Sequence, residues 1–253
     1  MTAATTVAPL GRSQSPRRIL AVTRLHFVNK MAILYTPLIV LGGIFVLNLA
    51  IWYLIVAASP GNHGTVHLGY SGAVSYIFIY FLIVAVQVIS RTFPFSLGFG
   101  VTRRDFYLGT SVAFLILSVF FAAVLTIMST IEVVTNGWGV GGRLFAPLYF
   151  TDQSWLLRFV MYLLVFLFCL FVGSAAASVF VRWRALGLVV FFLVIAIILI
   201  GLIALATFTH SWPAVGNWLA HTTPFLIVVW TLVPTAIAGV AGFFLLRRAT
   251  PKN

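Results

Sequence analysis

Apolar positions in this chain neither alternate nor trace a single helical stripe; they fall into six unbroken runs separated by short polar segments. The runs cover residues 31–57, 71–90, 110–133, 155–181, 185–208 and 225–246. An α-helix rises about 1.5 Å per residue, so roughly 20 apolar residues cross a ~30 Å hydrocarbon layer. Each run is long enough. Lipid offers backbone N–H and C=O groups no partner, which leaves helices or a closed barrel, and the runs lack the two-residue alternation of barrel strands. The pattern therefore predicts an all-α polytopic membrane protein with six transmembrane helices.

Composition agrees: 62% of the 253 residues are hydrophobic and 7% charged, against about 25% charged in soluble domains. A net charge of +12 raises the question of nucleic acid, and its placement answers it. Arg12, Arg17, Arg18, Arg24 and Lys30 precede the first run, Arg91, Arg103 and Arg104 follow the second, Arg182 and Arg184 follow the fourth, and Arg247, Arg248 and Lys252 follow the sixth. The opposite side holds only Arg143 and Arg158. That bias is the positive-inside signal; it predicts cytoplasmic N and C termini and no nucleic-acid partner.

Outside the runs, residues 1–16 are rich in Thr, Ala, Ser and Pro and are expected to be disordered. They are not read as a signal peptide, because the first run starts too late and is too long. Residues 17–30, RRILAVTRLHFVNK, read as an interfacial helix with Ile19, Leu20, Thr23 and Phe27 on one face and Arg17 and Arg24 opposite, or else as a loose basic tail. Residues 247–253 form a basic cytoplasmic tail. The link 135–153 is glycine rich, with Gly137, Gly139, Gly141 and Gly142 before Pro147. The link 209–224 carries Trp212, Pro213, Trp218 and Pro224, which suits either an interfacial surface loop or a segment dipping into the outer leaflet. Gly173, Ser174, Ala177 and Ser178, and later Ala238 and Gly242, allow close helix approach within one chain or between two.

Catalytic chemistry is sparse. The acids are Asp105, Glu132 and Asp152, none of them paired with another in mid-membrane, and neither HExxH nor G-x-S-x-G occurs. His63 and His67, in HGTVH, lack a nearby third ligand, and Gly64 weakens any helix there. Cys169 is alone, which excludes an intrachain disulfide. Lys30 follows Asn29 and Lys252 follows Pro251, so there is no P-loop. The expectation is a chain without a catalytic, metal or cofactor site, whose ATP, if any drives it, binds another polypeptide. Near the outer ends of the third and fourth runs, Glu132 and Arg158 lie at similar depth, as an ion pair or as two separately snorkelling side chains.

The link 91–109 is different in kind. Phe93, Phe95, Leu97 and Phe99 follow Arg91, with Pro94 tolerated in a helix's first turn and Gly98 and Gly100 ending that element. Thr102 and Asp105 match a capping box that starts the third helix at Arg103. Apolar side chains beside Arg103 and Arg104 need a partner or lipid to cover them.

This loop resembles the first cytoplasmic loop of permeases of type-2 ATP-binding-cassette (ABC) exporters, particularly a group common in actinobacteria. There a phrase F-P-x-x-L-x-x-G-V-T-R-R-x-F recurs, carried here by Phe93, Pro94, Leu97, Gly100, Val101, Thr102, Arg103, Arg104 and Phe106. The six-span layout, the Gly-Trp-Gly at 137–139 and the turn at Arg182, Trp183 and Arg184 extend the likeness. The resemblance implies a bacterial plasma-membrane permease that forms a homodimer or heterodimer and binds a separate cytoplasmic ABC ATPase. In that reading Phe93, Pro94, Phe95, Leu97 and Phe99 form a coupling helix seated on the ATPase, and Arg103, Arg104 and Asp105 anchor the helix after it. A membrane binding or immunity protein of the same fold, without net transport, is the alternative. The transported substrate is not encoded in any motif.

Overall fold

The computed structural model describes residues 15–58, 71–146 and 153–248, which are helical almost throughout. The tail 1–14, the loop with His63 and His67, residues 147–152 with Pro147 and Asp152, and residues 249–253 lie outside the described residues.

The chain opens with α1 (Ser15–His26). A π-helical turn, π1 (Met31–Tyr35), leads into α2 (Thr36–Ala57). Next, α3 (Ser75–Gln87) passes through a second π-helical turn, π2 (Val88–Thr92), into the short α4 (Phe93–Gly98). Then come α5 (Arg103–Val134), α6 (Trp155–Phe208), α7 (Trp212–His221), α8 (Pro224–Val229) and α9 (Leu232–Arg247). Among the described residues, five helical tracks are long and apolar enough to cross a membrane: Met31–Ala57, Ser75–Gly98, Arg103–Val134, Trp155–Phe208 and Pro224–Arg247. The chain is an all-α, polytopic membrane protein.

Boundaries differ from those of the apolar runs in instructive ways. The runs 155–181 and 185–208 are joined in the 54-residue α6, whose helical geometry breaks only at Arg184, with φ 59° and ψ −153°. A loop between them is unnecessary because one residue in a region natural mainly to glycine redirects the chain, at about 1–3 kcal/mol. The third track starts at Arg103 rather than at 110, because Thr102 caps it there. The link 209–224 contains a helix, α7, none of whose residues is buried. The last run divides between α8 and α9, where Pro234 deprives the first turn of α9 of an amide donor.

The core lies where α3 and α5 meet the first half of α6. Phe81 stands 4.5 Å from Phe121 and 5.6 Å from Phe166, and Phe78 stands 4.9 Å from Phe166, centroid to centroid. Such tilted and edge-on rings add attraction beyond their packing. At Gly173 a Cβ would stand 2.6 Å from the Leu82 carbonyl oxygen and 3.1 Å from Ala85 Cβ, so α3 and α6 approach backbone to backbone. The small residues of the fourth run thus serve packing inside this chain. Beyond Arg184 the picture reverses, and no residue from 185 to 208 is buried.

The Gly173→Val variant should be less stable than wild type by about 1–3 kcal/mol, the usual cost of forcing atoms into a closed contact. A lower midpoint in a detergent thermal melt, with unchanged membrane insertion, is the expected reading.

Candidate functional site: the basic end of the bundle

The capping chemistry of the 91–109 link is as its residues dictate. Thr102 has extended backbone and its hydroxyl accepts the Asp105 amide at 3.1 Å, which relieves one orphan donor of α5. Pro94 occupies the first turn of α4. Gly100, at φ +75°, reverses the chain between α4 and α5. Amides of Phe99, Gly100 and Val101 bond back to Ser96 and Leu97 carbonyls, so the turn is internally satisfied.

α4 has two unlike faces. Phe93 is fully buried, with its ring 5.2 Å from that of Phe106, and Ser96 is buried with its hydroxyl on the Phe93 carbonyl at 2.8 Å. Phe95 and Phe99 are 57% and 74% exposed and stack edge-on at 4.8 Å. Leu97 is half-buried and Pro94 exposed. The aromatics of this segment, read together from the sequence as one contact surface, are therefore divided: Phe93 belongs to the interior, and Pro94, Phe95 and Phe99 to the surface. Arg104 is exposed, Asp105 is buried at the first turn of α5, and Arg103 donates to the Arg247 carbonyl at 2.9 Å, tying α5 to the end of α9.

Under α4 lies a second, smaller core in which Val22, Ile89, Phe93, Phe106, Tyr107, Ala177 and Leu246 meet. It joins α1, π2, α4, α5, α6 and α9. Tyr107 donates to the Gly239 carbonyl at 2.5 Å, and a Cβ on Gly242 would stand 3.2 Å from the Tyr107 hydroxyl. α9 is thereby held against α5 at this end.

α1 docks on the start of α5. Of Ile19, Leu20, Thr23 and Phe27, which read as one face of an interfacial helix, Thr23 is buried together with Val22 and His26, Leu20 is half-exposed and Phe27 lies beyond the last helical residue. The register is set by Gly109, where a Cβ would stand 2.6 Å from Val22 Cβ and 2.8 Å from the Ile19 carbonyl oxygen. Thr23 then donates to the Gly109 carbonyl at 3.0 Å, and His26 Nε2 shares a 2.9 Å hydrogen bond with the Thr110 hydroxyl. His26 also meets the Phe106 ring edge-on at 6.0 Å. None of these contacts was assigned from the sequence; a glycine seven residues into a capped helix was its only outward trace.

At the other end of the bundle, Glu132 is 1% exposed. Its carboxylate accepts from Trp138 Nε1 at 3.0 Å and from the amides of Leu144, Phe145 and Ala146 at 2.9, 2.9 and 2.8 Å. The chain can fold back onto it because Asn136, Gly137, Trp138, Gly139 and Gly141 all take left-handed φ, and because Gly142 lies so close to the Trp52 ring that a Cβ would overlap it. Arg158, also buried, donates to the Gln153 carbonyl at 3.0 Å and toward Ser129 Oγ at 3.5 Å. No hydrogen bond runs between Glu132 and Arg158. The carboxylate has backbone amides and the Trp138 indole as partners, and Arg158 points to Ser129 one helical turn earlier on α5.

Glu132→Ala should cost several kcal/mol, because it strands buried backbone amides at about 1–3 kcal/mol for each group left unsatisfied. Glu132→Gln keeps one accepting oxygen and should cost less, and thermal melts rank the two. Combining Glu132→Arg with Arg158→Glu should not rescue either single reversal.

Burial pushes His26 down to about 4 from its ordinary 6.5. Undocked α1 therefore binds the proton more readily between these values, so docking is fully favoured above pH 6.5 and weakens as pH falls toward 4. Amide hydrogen exchange across α1, corrected for the intrinsic pH dependence, should lose protection over that window, and His26→Gln should remove the dependence.

Among the described residues no group of three or more His, Cys, Asp or Glu side chains is arranged to hold a metal ion. No family model, no curated protein and no solved structure matches this chain. Sequence and structure together establish a polytopic, largely helical membrane protein whose basic end presents an aromatic pair above a multi-helix core.

Proposed function

We propose that this chain is the membrane-spanning permease subunit of an ABC exporter, dimeric and driven by a separate cytoplasmic ATPase that grips α4. In this reading the two halves of α6, on either side of Arg184, are the fourth and fifth of six spans, and both termini are cytoplasmic. The observation that carries the proposal is the division of α4. Phe95 and Phe99 stand free as a stacked pair, while Phe93 and Ser96 on the same short helix are fixed in the core shared by α1, α5, α6 and α9.

A helix built this way transmits force. A partner that moved the exposed aromatics would move Phe93 and, through Phe106 and Leu246, the ends of α5 and α9. Rigid-body rocking of a packed unit is the ordinary means by which a soluble engine alternates access across a membrane domain. Arg18, which lines a groove together with Phe95 and Phe99, supplies a charged rim, and aromatic anchors within such a rim are typical of binding hot spots. The chain brings no P-loop, so hydrolysis falls to the partner.

Phe95→Asp and Phe99→Asp should leave insertion and the thermal midpoint close to wild type, because both side chains face outward. Co-purification of the ATPase should fall at least tenfold, consistent with loss of an interface hot spot worth about 2 kcal/mol. Phe93→Asp, in contrast, should fail at folding. Full retention of the ATPase by both outward variants would refute the assignment of α4.

A further inference from the structure

We infer that the groove between π1 and π2 is a binding site for an anionic phospholipid, with an acyl chain along α3 and the phosphate on Arg91. The groove has a volume of about 500 Å³, within the ~300–1,000 Å³ typical of ligand sites. It is bounded by the end of α1, the start of the α2 track and the end of α3, all at the basic end of the bundle. Its long wall is apolar, formed by Ile33, Ile83 and Val84, and its mouth carries Asn29, Gln87 and Arg91.

The groove's occupant follows from its openings. Ile83 and Val28, both lining the groove, are 48% and 76% exposed, so the groove opens sideways onto an apolar exterior and not only toward water. A soluble anion would gain nothing from that side; a hydrocarbon chain would. At the mouth, Gln87 and Arg91 are one turn apart on the same track, both are exposed, and neither side chain hydrogen-bonds to another described residue. A guanidinium presents paired donors that match phosphate oxygens, and it lies where phosphates of the inner leaflet would be. Lys30, exposed and adjacent to Asn29, adds a second cation.

Both helical tracks that frame the groove depart from α-geometry where they border it, at Met31–Tyr35 and Val88–Thr92. Such widened turns cluster at functional sites. The first is held by the Tyr80 hydroxyl, which donates to the Ala32 carbonyl, and by the Thr36 hydroxyl on the Met31 carbonyl; in the second the Ser90 hydroxyl donates to the Val86 carbonyl. The second of these turns runs directly into α4, whose Phe95 also lines the groove, so the site borders the proposed ATPase seat.

The test is native mass spectrometry of the full chain released from detergent, titrated with phosphatidylglycerol, phosphatidylcholine or water-soluble glycerol 3-phosphate. One phosphatidylglycerol should bind per chain at least fivefold more tightly than phosphatidylcholine, and glycerol 3-phosphate should not compete. Arg91→Gln should reduce the phosphatidylglycerol preference about fivefold, the worth of one basic residue at an anionic surface. Ile83→Trp, which fills the groove without touching its charge, should weaken both lipids, and this variant keeps the test valid should Arg91→Gln be unstable. Equal affinity for the two lipids, or an unchanged preference in Arg91→Gln, would overturn the site; competition by glycerol 3-phosphate would instead make it a soluble-phosphate site and overturn the lipid assignment.

Discussion

The structure depends on one constraint: a backbone that leaves helical geometry within or beside lipid must find its hydrogen bonds inside the protein. Glu132 shows how this chain meets it. The carboxylate gathers three consecutive backbone amides and an indole N–H, so a glycine-rich turn can sit buried against Trp52 and Phe45 instead of fraying. At the other end Thr102 closes an orphan amide of the α5 terminus, while Thr23 and Tyr107 add second hydrogen bonds to helical carbonyls and so tie one helix to another.

One end is fixed by the hydrogen bonds of Glu132 and the middle by interlocked rings, and the basic end is built differently. There the packing is a small core with one exposed aromatic pair above it and one groove beside it. α1, held by Gly109, Thr23 and His26, braces this core from the side. In the proposed permease, a push on α4 would spread into α5 and α9 before it reached the rigid aromatic layer. The second half of α6 is apolar and has no buried residue along its length.

Some of this was legible in the residues and some was not, for physical reasons. Long apolar runs fix helices because lipid allows little else, and the Thr102–Asp105 spacing located the start of α5 because a cap is a local interaction. The turn at Arg184 was legible as a break, but a single residue of unusual φ,ψ looks no different in sequence from a short loop. The face read for α1 includes Thr23 but not Val22 or His26, and His26 is buried through its hydrogen bond to Thr110, more than eighty residues away. Glu132 suggested Arg158 as a partner by charge; backbone amides have no letter in the sequence, and these are what it bonds. Likewise Phe93 and Phe95 are the same residue two positions apart, and only packing tells the buried one from the exposed one.

The central claim is that α4 is a seat for an ATPase, and purification of the tagged chain from its native membranes in mild detergent tests it most directly. Mass spectrometry of what accompanies the chain should find a stoichiometric cytoplasmic polypeptide bearing G-x-x-x-x-G-K-[ST]. A stable chain or dimer with no such partner, under conditions that keep related complexes together, would contradict the account and favour a binding protein without transport.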